Sequence, residues 1–298
     1  MPRGDPCPAI PASPPPHRDK QQLPGFGQER AWDSPRWRQW CKEINLRQVW
    51  RCKDPELQKL LDRLRVDRLN PEQVASLCRG RKAWSTDEPA VEDMDRLLKR
   101  RPDVAIVTCT RDKAEELNKL AMEALFPAGR PVAELSAEPD VNPANYERGG
   151  GFRKDRRPIP SQMEVRIGMR MYLTQNVRKE DDYLNGMLCE VEKFTPNDQG
   201  GVLLVRTVTG QRLAVTKWTN NKVPGLPVRH FPVRYGYAST IHKVQGDEFK
   251  GGICVVLNKK LMRAAAYTAI SRVPKLEDVL LAGSYLEPDH FVPAQWVA

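Results

Sequence analysis

The chain has 298 residues, 40% of them hydrophobic, and a formal net charge of +10 at pH 7, so it can bury a core as one large or two ordinary domains. The basic excess is compatible with a polyanionic partner, although a solvated basic surface would give the same charge. Seven cysteines without a C-x-x-C pair, and four histidines without metal spacing, argue against a disulfide framework and a zinc site and favour a reducing compartment.

The first residues are rich in proline. Residues 1–17 lack both the apolar core of a signal peptide and an Arg-rich amphipathic pattern, so they are predicted to form a disordered, extended leader. Ordered structure is expected from about His17 onward. No apolar run in the chain approaches the length of a membrane span.

Two helices are predicted between residues 54 and 80. The first begins at Pro55 behind an Asp54 cap, and the second begins at Pro71 and ends at Gly80. The spacing of the apolar residues gives each helix one inward face. The inward positions are Leu57, Leu60, Leu61 and Leu64 in the first helix, and Val74, Leu77 and Cys78 in the second.

A strand followed by a helix is predicted after a loop. Residues 103–108 are typical of a buried strand, and residues 111–125 of the helix that packs on it. A strand, a short polar turn and a helix in this order indicate the α/β class. Residues 139–161, with Pro, Gly and five basic side chains, are predicted to be a flexible basic linker.

The pattern changes to period two over residues 162–218. Turn signals at Asn185-Gly186 and Thr209-Gly210 separate alternating apolar segments, which indicates a small antiparallel β unit, predicted as a barrel. The α/β character is expected to return around Val228 and to continue through residues 279–283. The predicted fold is therefore an α/β domain with an inserted small β-barrel.

Two polar segments carry the strongest functional signal. Within residues 237–249, five of the seven positions from 239 to 245 carry a hydroxyl, imidazole, ammonium or amide group, a composition suited to a polyanion and not to a core. Residues 267–272 end a small-residue helix in Arg272, whose guanidinium could face a phosphate. The apolar segment 251–257 between them predicts a buried strand, so both polar segments are expected at the ends of elements in one α/β layer.

These segments resemble motifs V and VI of the superfamily 1 DNA helicases, in the branch of PIF (petite integration frequency) and RecD enzymes. Matches to this family run in order along the chain from Asp19, and the ordered series is more specific than any one motif. The resemblance implies a RecA-like, P-loop NTPase-type fold. Residues 18–50 would be the tail of a first RecA-like domain and residues 51–298 the second domain, with the barrel inserted at about 162–218.

Two motifs near the start of the chain resemble nucleotide-sensing motifs of the family. R-D-K-Q-Q-L-P resembles motif III, with Arg18 at the position of the usual Gly, and implies that Gln22 senses the terminal phosphate of ATP. V-W-R-C-K-D resembles motif IV, with Cys52 at the position of the usual Gln, and implies that Arg51 contacts the γ-phosphate. Each segment has an alternative interpretation, a polar turn for the first and a surface salt bridge of Arg51 for the second.

The segment I-V-T-C-T-R-D-K-A-E-E-L-N resembles the strand-to-helix element of the family. The resemblance implies that Thr108, Thr110 and Arg111 contact a DNA phosphate at a helix N-terminus. A plain helix cap by Thr110 or Asp112 is the alternative. The β unit resembles the Src-homology-type barrel with which relatives grip or steer single-stranded DNA, and a passive structural insert is the alternative.

The resemblance to motifs V and VI implies residues that contact DNA and residues that contact the nucleotide. By resemblance, Thr240, His242 and Lys243 face the DNA backbone, and the alternative for this segment is a solvated helix start. The remaining implied roles are a link between DNA contact and nucleotide state for Gln245 and Gly246, a ribose contact for Glu248, and an arginine finger for Arg272.

The 298 residues contain no G-x-x-x-x-G-K-[ST] phosphate cradle. We therefore expect the C-terminal part of a 5′-to-3′ ATP-dependent DNA helicase that binds single-stranded DNA, has no metal site, and is inactive alone. ATP and Mg²⁺ would belong to the intact enzyme and would not bind tightly to this chain. Family roles include DNA repair, recombination and telomere maintenance, in the nucleus or mitochondrion of a eukaryote and otherwise in the cytoplasm.

Three alternatives to a helicase fragment stay open at this point. The first is a non-catalytic, helicase-derived protein that binds single-stranded nucleic acid. The second is a scaffolding remnant that binds a protein through the β unit. The third is a gene start placed too late, which would have discarded the upstream coding sequence for the phosphate cradle.

Overall fold

The structure is a computed structural model that describes residues 35–40, 52–127, 131–138, 162–177, 183–220, 228–257, 259 and 262–294. The predicted leader, motif III with Gln22, Arg51 of motif IV and the basic linker lie outside these residues. The helices α1 to α6 span Pro35–Trp40, Pro55–Val66, Pro71–Cys78, Val91–Arg100, Arg111–Leu125 and Ala265–Ile270. The strands β1 to β13 span Ala105–Thr108, Ala133–Ser136, Gln162–Val165, Arg170–Leu173, Leu188–Thr195, Val202–Thr207, Arg212–Val215, Trp218–Asn220, Val228–His230, Val233–Tyr235, Ala238–Thr240, Ile253–Val256 and Val279–Ala282.

A four-stranded parallel sheet is the centre of the α/β part, in the order β11-β1-β12-β13. All four residues of β12 and of β13 are buried, as expected for a parallel sheet covered on both faces. Helices α2, α3 and α6 pack on the face that presents Val107 and Val255, and α4 and α5 pack on the face that presents Ile106 and Cys254. The predicted α/β class is confirmed, and its central sheet is parallel.

Three of the helices begin where the sequence predicts, whereas α1 and α4 were not predicted. Helices α2, α3 and α5 match the predicted segments, and Asn70 caps α3 through a reciprocal pair of hydrogen bonds with Gln73. Helix α4 lies in a stretch predicted as a loop. Its buried residues Met94, Leu97 and Leu98 have helical spacing, but they are few and lie among charged residues, so the sequence pattern did not indicate a helix. None of the helices within the described ranges is long and apolar enough to cross a membrane.

The inserted unit is an antiparallel sheet in the order β10-β4-β5-β6-β7. Both predicted hairpin turns are present, with Gly186 and Gly210 at φ +94° and +88°, values that favour glycine. The part of the chain that the structure describes contains no closed barrel, because β10 and β7 are not paired with each other there. Period-two alternation predicts strands and turns, but it does not specify the long-range pairing that closes a barrel.

The inserted sheet also extends further along the chain than predicted. Strand β10 pairs with β4, with Arg234 opposite Tyr172, so the antiparallel unit continues past residue 218. Strands β8 and β9 pair with each other as a separate ribbon. The parallel sheet therefore resumes at Ala238, and the predicted return of α/β character around Val228 is ten residues too early.

Candidate nucleic-acid interface

The carboxyl ends of β1 and β11 bring two predicted DNA-contacting segments together. In the parallel pairing Thr108 lies opposite Thr240, and the Ile241 N–H donates to the Thr108 carbonyl at 2.9 Å. The chain leaves β1 into helix α5 and leaves β11 into a tight turn, which we call the motif V turn (residues 241–247). Sheet topology thus places both segments at one edge, although the whole inserted sheet separates them in sequence.

The first segment presents a helix N-terminus and one exposed cation. Thr110 is the N-cap of α5, and its Oγ1 accepts a hydrogen bond from the Lys113 N–H at 3.4 Å. Arg111, the first residue of α5, is exposed. Thr108 is fully buried, so its hydroxyl does not face solvent in this structure. The plain cap foreseen as an alternative for Thr110 is therefore present.

The motif V turn is anchored by alternating buried residues. Ile241 and Val244 are buried, His242 is half-buried and Lys243 is exposed. Amide hydrogen bonds to the Thr240 carbonyl, from Lys243 at 2.9 Å and Val244 at 3.3 Å, close the first part of the turn. The turn consequently holds the backbone of its polar residues in one place while their side chains remain accessible.

The electrostatics of this edge distinguish His242 from its neighbours. Burial, with the nearby positive charge of Arg111 as a smaller contribution, holds the pKa of His242 below its usual value. The imidazole is therefore predominantly neutral at neutral pH and can donate or accept a hydrogen bond, whereas Arg111 and Lys243 supply full positive charge. A neutral donor near the cation of Arg111 suits the oxygens of a phosphodiester.

Arg272, the predicted arginine finger, is enclosed and only 2% exposed. Its Nε donates to the Thr268 carbonyl at 3.0 Å, and its two terminal nitrogens donate to the Ser271 hydroxyl at 2.8 Å and to the Asp247 carbonyl at 3.5 Å. The guanidinium therefore connects the end of α6 to the motif V turn. With these contacts in place it is not open to a nucleotide phosphate.

The other predicted nucleotide-side residues surround the same turn. Gln245 is half-buried, while Gly246 and Glu248 are exposed on either side of Asp247. Gly246 has φ +107°, a conformation that disfavours any side chain. In motif IV the thiol of Cys52 is buried and donates to the Asp54 carbonyl at 3.3 Å, and burial raises the pKa of that thiol. Cys52 thus serves the core and does not replace the amide that is usual there.

Two residues of this region were not predicted. Asn118 of α5 is buried and binds the backbone of β11, and Tyr172 of β4 lies against Lys243. Asn118 ends the segment whose family resemblance is described above, so a signal existed at that position. Alternation in β4 places Tyr172 on the same face as Arg170, away from the sheet core, but no sequence pattern indicates its contact across to the motif V turn.

The parallel sheet and its inserted antiparallel sheet define a RecA-like fold. The chain is 26% identical over 274 residues to the ATP-dependent DNA helicase PIF1 of Danio rerio, covering 87% of this chain and 39% of that relative. No protein-family model matches the chain.

Solved Pif1 structures share the fold. Pif1 helicase from Candida albicans superposes with a TM-score of 0.68 at 18% identity, covering 92% of this chain and 64% of that one. Pif1 helicase from Bacteroides, in complex with ADP-AlF3 and single-stranded DNA, gives 0.55 at 18% identity, covering 84% and 53%. The resemblance to PIF-type helicases is confirmed, and the chain corresponds to a part of these proteins, since it spans 39% of the Danio rerio relative.

Proposed function

We propose that this chain is the second RecA-like domain of a Pif1-like DNA helicase and that it binds single-stranded DNA at the β1–β11 edge. One observation carries the proposal. The register that sets Thr108 opposite Thr240 brings Arg111 at the start of α5 near His242, which precedes Lys243 in the motif V turn. The Bacteroides relative of the same fold was solved with single-stranded DNA bound.

The chemistry of this edge suits a nucleic-acid backbone. Two cations, a predominantly neutral imidazole and the amides at the start of α5 are all donors for phosphate oxygens. Contacts with phosphate oxygens position the protein on the strand but carry no information about the base sequence. Binding should therefore depend strongly on salt and little on sequence.

This chain supplies only some of the residues that would surround a bound nucleotide. The described residues do not form a phosphate cradle, and Arg272 is enclosed by Ser271, Thr268 and Asp247. In the intact two-domain enzyme, ATP and Mg²⁺ would be held by the first domain, with Gln22, Arg51 and Arg272 near the phosphates. Directional unwinding, repair and telomere roles, and a nuclear or mitochondrial site of action rest on the family resemblance alone.

A second function, non-catalytic binding of single-stranded nucleic acid, is favoured by one specific observation. Arg111 and Lys243, the proposed DNA contacts, are exposed, while the guanidinium of Arg272 is occupied by protein groups. If the chain functions in this way, ATP analogues will leave its affinity for oligonucleotides unchanged even when it is fused to a RecA-like domain that carries a phosphate cradle. In a helicase that contains both RecA-like domains, nucleotide state and DNA affinity are coupled.

The test of DNA binding is fluorescence anisotropy with labelled oligo-dT and oligo-dA over a series of salt concentrations. We expect Lys243→Met and Arg111→Met each to weaken both oligonucleotides equally and to reduce the slope of log K against log salt by about 0.7. Lys119→Met is the matched control, because Lys119 is an exposed lysine further along α5. Absence of binding at low salt, or an equal loss in the Lys119 variant, would contradict the proposal.

A further inference from the structure

The motif V turn is in contact with the inserted sheet. The Lys243 Nζ lies 4.1 Å from the centroid of the Tyr172 ring, within the range of a cation–π interaction. Lys243 follows β11 of the parallel sheet, and Tyr172 belongs to β4 of the antiparallel sheet. The contact therefore joins the two units of the fold at the residue that the proposed function places on DNA.

Tyr172 is held firmly by its own sheet. It is partly buried and lies between Leu188 of β5 and Arg234 of β10, each directly opposite it in the register. Burial, followed by the nearby carboxylate of Asp247, raises the pKa of Tyr172 to about 12, so the phenol is neutral under physiological conditions. A neutral ring in a fixed place is a suitable surface on which to position an ammonium group.

The ring has a defined effect on Lys243. A lysine side chain has four rotatable methylene bonds and loses rotamer entropy when a phosphate fixes it. The Tyr172 ring attracts the ammonium to one place, while the Lys243 side chain stays exposed. Part of the ordering is thus already present in the free protein.

The opposite side of the turn is held as well. The Arg272 guanidinium donates to the Asp247 carbonyl, and the Phe249 N–H donates to the Arg272 carbonyl at 2.9 Å. The backbone that carries Lys243 is therefore fixed from α6 while its ammonium is fixed from β4. Both constraints favour one position of the ammonium relative to the β1–β11 edge.

We propose that Tyr172 is a positioning residue for nucleic-acid binding, whose ring presets the Lys243 ammonium for a phosphate of single-stranded DNA. The inference rests on the proposed function, since it gives Lys243 a phosphate partner. It assigns the inserted sheet a part in the affinity for DNA that requires no direct contact between Tyr172 and the nucleic acid.

The experiment is a double-mutant cycle on the full chain with oligo-dT as the probe. We expect Tyr172→Leu to weaken binding about twofold to fivefold, the value of an exposed cation–π contact, and to shift the salt slope toward that of Lys243→Met. Tyr172→Phe keeps the ring face and should bind like the unmodified chain. In the Lys243→Met background, Tyr172→Leu should have no further effect.

Tyr235→Leu is the structural control. Tyr235 is a ring of the same size in the neighbouring strand β10, it packs against the core of the sheet, and its hydroxyl donates to the Glu164 carbonyl at 3.1 Å. Loss of the Tyr235 ring should leave the slope of log K against log salt unchanged. If Tyr172→Leu does not fold, Tyr172→Met fills the same space without an aromatic face and takes its place in the cycle.

The outcomes separate this inference from the proposed function. No binding by the unmodified chain contradicts the proposed function. Binding that depends on Lys243 but not on Tyr172, a Phe variant as weak as the Leu variant, or additive losses in the double variant would each overturn the positioning role while leaving DNA binding in place.

Discussion

At the scale of single residues, the buried side chain of Asn118 holds the backbone of the proposed DNA-binding edge in place. Its Nδ2 donates to the Ala238 carbonyl at 2.9 Å, and its Oδ1 accepts from the N–H groups of Tyr237 at 3.0 Å and Ala238 at 2.9 Å. Strand β11 is an edge of the described parallel sheet, and Asn118 binds its outward backbone groups as a neighbouring strand would.

Replacing Asn118 by Leu should therefore destabilise the fold. The substitution keeps the volume approximately but leaves three buried backbone groups without partners, and we expect a loss of about 1–3 kcal/mol in the free energy of unfolding. Urea unfolding followed by circular dichroism measures it. Lys119→Leu, at the next and exposed position of α5, is the control. Equal stability of the Asn118 variant and the unmodified chain would show that β11 does not need this amide.

At the scale of elements, helix caps fix the places where the α/β part is joined together. Asp54 caps α2, since its Oδ1 accepts from the Glu56 N–H at 2.9 Å and the Leu57 N–H at 3.4 Å. Its Oδ2 accepts from the Leu276 N–H at 2.7 Å. One carboxylate thus connects the start of α2 to the segment that follows Arg272.

This double role predicts a pH-dependent stability. The Leu276 N–H, the largest influence, lowers the pKa of Asp54 against an opposing effect of burial, and the Leu57 and Glu56 N–H groups lower it further. The ionised form is favoured in the folded state, so its contribution is present above the unfolded-state pKa of about 3.9 and is lost as pH falls through the lower folded-state pKa.

Asp54→Ala should therefore cost about 1 kcal/mol at neutral pH, a typical value for a lost N-cap, and the difference from the unmodified chain should shrink as the pH falls below about 4. Thermal unfolding across this range tests it. Asp62→Ala, at an exposed acid of the same helix, should show neither effect. Parallel stability curves for the Asp54 variant and the unmodified chain would contradict the assignment.

The elements themselves were predictable to the extent that their signals are local. The cap at Asp54, the helix from Arg111 to Leu125 and the turns at Gly186 and Gly210 follow from short patterns that the structure reproduces. The openness of the inserted sheet and the place of β10 in it depend on pairing between distant strands, which no local pattern contains. For the same reason the order of motifs indicated the family, while the contact between Tyr172 and Lys243 required the folded chain.

At the scale of the whole molecule, the motif V turn is the junction between the two units of the fold. Lys243 contacts the inserted sheet, the Asp247 carbonyl contacts Arg272 after α6, and the turn itself continues from the parallel sheet. A substitution that disturbs the inserted sheet, Arg272 or the parallel sheet at these contacts would therefore displace the residues of the motif V turn. This geometry provides a physical connection between proposed DNA contact and the predicted nucleotide side of the domain.

The same arrangement leads to a prediction about catalysis. An arginine can stabilise charge on a transferring phosphoryl group only when a phosphate cradle and Mg²⁺ position the nucleotide, and these 298 residues contain no G-x-x-x-x-G-K-[ST]. Arg272 would also have to exchange its hydrogen bonds with Asp247 and Ser271 for a phosphate. We therefore expect no release of inorganic phosphate from ATP by the purified chain, with or without single-stranded DNA.

Phosphate release should appear when the chain is fused to a RecA-like domain that carries a phosphate cradle, and Arg272→Ala should then abolish it. Arg272→Lys keeps a cation and reports whether a charge alone is sufficient. Because Arg272 also holds the motif V turn, oligonucleotide binding by each variant must be measured together with phosphate release. If Arg272 acts only as an arginine finger, its substitution will leave oligonucleotide binding unchanged. Turnover by the unfused chain that is stimulated by DNA and lost in Arg272→Ala would show instead that these residues alone form a working nucleotide site.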